Sequence, residues 1–184
     1  QPSAQPAPRA FIEHRSALQH PKLKGKTILC DAFSKTWSMT GWRLGYGIMP
    51  RVLAARVTQL QINCTSCAAS FVQRAGLAAL RGPRSWIDTV AETFRRRRDL
   101  VVEGLNALPG VTCAEPSGAF YAFPDVSRAG DAGELQKRLL EEAGVATVSG
   151  TAFGAAGAGH LRLSYAASEE TLREALARMR SLLR

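Results

Sequence analysis

The chain has 184 residues, of which 46% are hydrophobic and 21% are charged, so it can bury a core and is expected to be a soluble globular protein of one domain or slightly more. No apolar run approaches the roughly 18 residues that span a bilayer, and the start QPSAQPAPRA lacks the features of a signal peptide, so neither a membrane-spanning nor an exported protein is expected. Four cysteines are too few and too irregularly spaced for a disulfide framework, which makes the cytoplasm the expected location.

Apolar runs, turn residues and helical periodicity predict alternating helices and strands along the chain. The Pro/Ala-rich start is predicted to be a mobile lead-in. Gly82 and Pro83 end one helix, and Asp131 with Glu134 forms a capping-box-like start for another. The predicted elements, in chain order, are strands at 26–31 and 44–49, helices at 51–62, 68–81 and 84–108, a strand at 118–123, a helix from 131 to about 144, strands at 145–149 and 160–166, and a last helix from 168.

The formal net charge of +9 raises the question of an acidic partner such as nucleic acid, with the run Arg95–Arg98 at its centre. This run lies in the predicted helix 84–108, whose apolar stripe must face a core. The arginines fall mostly off that stripe, and acidic residues are interspersed with them, as in the i,i+4 pair Glu92 and Arg96. A solvated helix face is the favoured interpretation, and nucleic-acid binding is not expected.

The stretch FSKTWSMTGWRLGYG, residues 33–47, lies between the first two predicted strands and holds the main candidate chemistry. Lys35, in a loop at the end of a buried strand, could attack a carbonyl as a neutral amine. The guanidinium of Arg43 matches a phosphate group, and Gly41 and Gly45 permit close backbone approach. This combination suggests pyridoxal phosphate, although an exposed structural lysine is the commoner interpretation on residue type alone.

The stretch SKTWSMTGWRLGYG resembles the pyridoxal-phosphate lysine signature of class I/II aminotransferases, the aspartate-aminotransferase-like family of fold type I. Later stretches resemble that family in its order, namely NCTSCAASFVQRAGLAALRGP, FRRRRDLVVEGLNALPGV, PSGAFYAFPD and GVATVSGTAFGAAGAGHLRLSYAAS. The resemblance covers about residues 25–184. It implies an α/β fold, the C-terminal portion of the fold-type I transferase fold, with a remnant of the large-domain sheet and an α+β small domain.

The resemblance also implies a domain organisation. Residues 1–24 would be the lead-in, 25–82 the remnant of the large domain that binds pyridoxal 5'-phosphate, and 83–184 the small domain. In the family, the aspartate that pairs with the pyridine nitrogen and several other cofactor ligands precede the lysine, whereas 34 residues precede it here. The chain is therefore expected to be a truncated, C-terminal part of an aminotransferase.

The site residues follow from the same resemblance. Lys35 would form the aldimine with pyridoxal 5'-phosphate and act as the base, Arg43 would bind the cofactor phosphate, and Ser34 would assist. Arg162, between two leucines on a predicted strand, would clamp the substrate α-carboxylate.

The implied reaction is ping-pong transfer of an amino group between an amino acid and a 2-oxo acid, by a homodimer if the protein is complete. Because Arg162 would contact only the α-carboxylate, the amino acid stays open, with aspartate or glutamate favoured by the family. The alternative is a non-catalytic fragment or a basic interaction module.

Three further patterns favour structural roles. Cys64 and Cys67 have redox or half-zinc spacing, but no second CxxC or histidine pair accompanies them, so no metal site is expected. The glycine-rich stretch 150–160 fits no phosphate-loop pattern and is predicted to be a flexible loop. Phe120 and Tyr121 are predicted to pack in the small-domain core, with the other side of their strand free to face the cleft, and neither is assigned a role.

Overall fold

A computed structural model describes residues 16–23 and 25–184. Backbone contacts divide the chain into two compact units, one ending at Ile87 and one spanning Asp88–Arg184. The predicted domain boundaries at residues 24 and 82 stay predictions, and most of the predicted lead-in, residues 1–15 and 24, lies outside the described residues.

Among its described residues, the first unit contains two short strands and three complete helices. Its elements are β1 (Leu29–Ala32), α1 (Phe33–Thr36), β2 (Gly45–Ile48), α2 (Arg51–Thr65) and α3 (Ser70–Arg81), with 3-10 turns at Ala17–Gln19 and Thr40–Trp42. The two strands pair antiparallel, with Leu29 opposite Ile48 and Ala32 opposite Gly45. The expectation that Lys35 follows a buried strand is wrong, because three of the four β1 residues are exposed in this two-stranded ladder.

Phe33 is the packing centre beside this ladder. Its side chain is 3% exposed, and its ring contacts the rings of Trp37 and Tyr46 at centroid distances of 5.0 and 5.6 Å. Helix α3 approaches it at Gly76, where an added Cβ would lie 3.2 Å from the Phe33 ring and overlap Leu44. A glycine inside a helix lowers helix stability, and here it permits this close packing.

The two units differ sharply in charge. Residues 16–87 contain ten lysines and arginines against a single acid, Asp31, whereas residues 88–184 contain twelve against thirteen. The positive net charge of the chain therefore comes from the part that precedes residue 88.

The second unit is a three-stranded antiparallel sheet with helices. It contains most of α4 (Ser85–Asn106), then β3 (Tyr121–Ala122), α5 (Ala132–Glu141), β4 (Val148–Ser149), β5 (Leu161–Ser164) and α6 (Glu169–Leu182). The strand order is β3-β5-β4, with Tyr121 opposite Ser164 and Val148 opposite Arg162. The strands are shorter than predicted, because β3 and β4 each pair with β5 over two residues. The apolar runs in the sequence are longer than the strands, because buried residues are apolar whether or not they pair.

Apolar side chains from the helices and from β5 form the core of this unit. Leu105, Leu139 and Leu161 are fully buried, and Tyr165 and Met179 are nearly so. Two helix starts are capped by side chains, since Asp131 accepts hydrogen bonds from the backbone N–H groups of Gly133 and Glu134, and Ser168 accepts one from that of Thr171. Such caps typically contribute about 1 kcal/mol each to stability.

The arginine run on α4 forms ion pairs with acids of the same unit. Arg95 and Arg96 pair with Glu92, Arg96 also approaches Glu169, and Arg98 pairs with Asp99 and Glu115. Most of these side chains are well exposed, so each pair contributes roughly 0–1 kcal/mol. This arrangement is typical of a solvated helix face.

The glycine-rich stretch 150–160 forms two 3-10 turns, Gly150–Phe153 and Ala155–Gly157, where a flexible loop was predicted. Gly150 and Gly157 are buried and face each other so closely that a Cβ on either would overlap the carbonyl oxygen of the other. The backbone N–H of Gly150 also donates to the carbonyl of His160 at 2.8 Å. The glycines here permit contact between two backbone segments.

The four cysteines are free thiols, and the structure predicts different reactivities for them. Cys30, Cys64 and Cys67 are exposed, whereas Cys113 is 5% exposed and burial raises the pKa of its thiol. A raised pKa lowers the thiolate fraction, and burial blocks access, so iodoacetamide at pH 8 is expected to alkylate Cys113 at least about tenfold more slowly than the other three. Peptide mass spectrometry over time measures the rates, with denaturant as the control in which all four react alike; equal rates without denaturant would contradict the fold.

Within the described ranges, no helix is long and apolar enough to cross a membrane, and no group of three or more potential ligand side chains is placed to hold a metal ion.

Candidate active site

Lys35 lies in the one-turn helix α1, directly after β1. The turn is held by Phe33, whose backbone N–H donates to the carbonyl of Leu44 at 3.1 Å and whose ring is buried. The carbonyl of Lys35 accepts from the backbone N–H of Ser38. The Lys35 side chain is exposed, and its ammonium forms no hydrogen bond or ion pair with residues 16–23 or 25–184. The backbone is therefore fixed while the amine stays available.

Arg43 follows the 3-10 turn Thr40–Trp42 and has left-handed backbone angles, φ 51° and ψ 46°. Ser38 also has a positive φ, 53°. Residues other than glycine adopt this region at a cost of about 1–2 kcal/mol, so the neighbouring structure must impose it. One guanidinium nitrogen, Nη1, donates to the carbonyl of Thr40 at 2.9 Å, and the side chain is exposed. Its other donors can bind an anion.

A cleft of about 1000 Å³ opens in the first unit, lined by β2, α2 and the start of α3. Arg43, Trp42 and Tyr46 contribute to its wall, but Ser34 and Lys35 do not. The structure therefore brings Arg43 to the cleft and places the other two predicted residues of this segment elsewhere in the same unit.

Asp31 is already engaged. One carboxylate oxygen accepts from the backbone N–H of Ala32 at 2.7 Å, and the other accepts from the Tyr46 hydroxyl at 3.3 Å. Partial burial raises the pKa of Tyr46, and the negative charge of Asp31 and its hydrogen bond raise it further. Asp31 thus acts as a local acceptor that ties the end of β1 to β2.

Arg162 lies on β5 of the second unit and is half-buried. Its guanidinium carbon is 4.5 Å from the centre of the Tyr121 ring and 4.6 Å from the centre of the Phe153 ring. Tyr121 was predicted to pack in the core, which is wrong, since it is 36% exposed. Phe120, which precedes β3, is partly buried and packs against the core residue cluster, and its ring centre lies 4.5 Å from that of Tyr121.

Sequence reasoning missed Tyr121 and Phe153 as neighbours of Arg162. Tyr121 is a diagonal neighbour of Arg162 only through the register that pairs it with Ser164, and the sequence alone does not give that register. Phe153 could not be predicted either, since it lies in a 3-10 turn and not in a strand that pairs with β5.

The donor set of the first unit fits an anionic aldehyde such as pyridoxal 5'-phosphate. An exposed primary amine and an exposed guanidinium lie eight residues apart. The amine can bind a carbonyl carbon, and the guanidinium can bind a phosphate. Asp31 is the only acidic residue between positions 16 and 87, and both of its carboxylate oxygens already accept hydrogen bonds.

Comparison with known proteins gives consistent results. The sequence profile of aminotransferase class I and II matches residues 3–179. An aspartate aminotransferase of Pyrococcus horikoshii is 42% identical over 182 residues, 96% of this chain and 46% of its own length. An aspartate/prephenate aminotransferase of Cereibacter sphaeroides is 43% identical over 172 residues, 88% of this chain and 42% of its own.

Solved structures agree. The aspartate aminotransferase from Rhizobium meliloti has a TM-score of 0.85 at 40% identity, covering 91% of this chain and 44% of that one. An aromatic aminotransferase from Pyrococcus horikoshii has a TM-score of 0.89 at 38% identity, covering 95% and 47%. The chain thus spans less than half the length of these relatives. Its likeness to their structures confirms the predicted fold-type I α/β fold. The chain belongs to the class I and II aminotransferase family.

Proposed function

We propose that this chain supplies the lysine, the phosphate-binding arginine and the carboxylate-binding arginine of an enzyme that transfers an amino group between an amino acid and a 2-oxo acid. The observation that carries the proposal is the unpaired, exposed amine of Lys35 on a fixed turn, eight residues before the exposed guanidinium of Arg43, in a chain of this family.

Each residue has a role that its chemistry supports. Arg43 would hold the phosphate of pyridoxal 5'-phosphate with its free N–H donors, and the Ser34 hydroxyl would add a donor there. When bound, the cofactor supplies an electron sink for negative charge at the substrate Cα. Lys35 would hold the cofactor through Nζ and, as a free amine, accept the proton from Cα. Arg162 would bind the substrate α-carboxylate.

Substrates and assembly are also proposals. Relatives are named for aspartate, for aspartate and prephenate, and for aromatic substrates, so family membership alone leaves the side chain open. We favour a dicarboxylic amino acid such as aspartate, a homodimeric assembly and a cytoplasmic location.

A second candidate function, a basic interaction module without catalysis, is favoured by a different observation. Residues 16–87 contain ten basic residues against one acid, and α2 exposes the apolar side chains of Val52, Leu60 and Ile62. Such a module would bind an acidic partner through many charges, so its affinity would fall steeply with salt. Covalent capture of a cofactor at Lys35 would instead depend on one amine.

The test is titration of the chain with pyridoxal 5'-phosphate, borohydride reduction and peptide mass mapping. We expect the reduced cofactor on the peptide that contains Lys35, because this exposed amine is unpaired among the described residues and lies eight residues before the proposed phosphate anchor, Arg43. Lys35→Arg should lose the label, and Lys26→Arg, which changes another exposed lysine of the same unit, should keep it. Labels scattered over surface lysines, or unchanged in Lys35→Arg, would contradict the proposed function.

A further inference from the structure

Two aromatic rings cover the guanidinium of Arg162. Its carbon atom lies 4.5 Å from the Tyr121 ring centre and 4.6 Å from that of Phe153. Among the described ring contacts, Tyr121 and Phe153 do not pair with each other, so each ring approaches the guanidinium on its own. A cation over an aromatic face is attracted by the negative charge density of that face.

Separate parts of the fold deliver the two rings. Tyr121 comes from β3 and is a diagonal neighbour of Arg162 across the β3-β5 ladder. Phe153 ends the 3-10 turn that the contact between Gly150 and Gly157 holds in place. Phe153 in turn packs edge-on against Phe123 at 6.2 Å. Both rings are therefore supported independently of Arg162.

The rings leave the N–H groups of the Arg162 guanidinium unsatisfied. Aromatic faces accept no in-plane hydrogen bond, and the described residues give this guanidinium no ion pair or hydrogen bond. A guanidinium presents its donors at its edge, in a fork that matches the two oxygens of a carboxylate. The ligand that fits is therefore a carboxylate lying in the plane of the guanidinium.

We propose that Tyr121 and Phe153 are positioning residues that hold the Arg162 guanidinium with its N–H edge presented to a carboxylate. The identity of that carboxylate as the substrate α-carboxylate rests on the proposed function. An arginine held in advance loses less side-chain freedom when the ligand binds, so the rings raise affinity without touching the ligand.

The test is an NMR titration of the chain with maleate, a dicarboxylate without an amine, observed at the Nε–H signal of Arg162. We expect a saturable shift in the wild type. Tyr121→Leu and Phe153→Leu should each raise the dissociation constant about two- to fivefold, the range for a ring contact at an exposed site. Tyr121→Phe keeps the ring and should stay within about twofold of the wild type.

The matched control is Phe71→Leu, which makes the same change at an exposed ring on α3 of the first unit, whose ring contact among the described residues is with Trp42. Its dissociation constant should equal that of the wild type. In the wild type itself, ring currents should move the Arg162 Nε–H signal upfield of the other arginines, a readout that no folding defect of a variant can affect.

Three results would overturn the inference, namely an Arg162 Nε–H signal of the wild type that is not shifted upfield, Tyr121→Leu and Phe153→Leu variants that bind maleate like the wild type, or equal weakening by Phe71→Leu. Lys35 labelling separates this inference from the proposed function. Ring-dependent maleate binding without Lys35 labelling would overturn the proposed function and support the positioning roles. Lys35 labelling together with maleate binding that does not depend on the rings would support the proposed function and overturn the positioning roles.

Discussion

Replacing Arg43 with glycine is expected to weaken binding of pyridoxal 5'-phosphate about ten- to a hundredfold, since a hydrogen bond to a charged group contributes about 1.5–3 kcal/mol. The same change should leave the free energy of unfolding within about 1 kcal/mol of the wild type, because two effects oppose each other. Glycine adopts left-handed angles without strain, which stabilises the fold, but it loses more backbone entropy on folding, which destabilises it. Arg43 has such angles, with φ 51°. Affinity and stability should therefore separate in this one variant.

Absorbance titration and urea denaturation measure the two quantities for Arg43→Gly. Arg81→Ala is the matched control, because it removes the same charge from an exposed position at the end of α3. Its dissociation constant should stay within about twofold of the wild type, as expected for one distant exposed charge. A variant Arg43→Gly that binds the cofactor normally would remove Arg43 from the phosphate site, and a large loss of stability would show that the arginine stabilises the turn.

Gly157→Ala is expected to lower the free energy of unfolding of the second unit by about 3 kcal/mol, the upper end for overpacking. Its Cβ would overlap the carbonyl oxygen of Gly150, and neither group is the flexible end of a side chain. The two backbone segments would have to separate, which would also displace the turn that ends at Phe153.

Urea denaturation of Gly157→Ala against Gly118→Ala tests this contact. An added Cβ at Gly118 meets nothing within 4 Å, so this control should change stability by less than about 0.5 kcal/mol. Similar midpoints for both variants would mean that the close approach of Gly150 and Gly157 does not exist in solution.

Local signals predicted the helices well. The long helix predicted at 84–108 is Ser85–Asn106, because its apolar periodicity extends over six turns. The cap at Asp131 was also predicted, since a capping side chain and the N–H groups it binds are close in sequence. Both depend on interactions within a few residues.

Non-local contacts account for what could not be predicted. The packing of Gly150 on Gly157 depends on how the backbone folds back on itself. From composition alone, the same glycines predict a flexible loop. The described residues pair β1 with β2 alone and leave three of its four residues exposed, and the apolar run itself specifies neither its strand partner nor its burial. In the candidate site, the resemblance singled out Lys35, Arg43 and Arg162, but the rings on Arg162 required strand register and a turn.

The uneven distribution of charge has a chromatographic consequence. With ten basic residues against one acid in residues 16–87, a polypeptide ending at residue 87 should bind a cation exchanger at neutral pH and require high salt for elution. A polypeptide of residues 88–184, with twelve against thirteen, should pass through the same column and migrate toward the anode in a native gel. The isoelectric point of about 10.0 therefore describes neither half of the molecule.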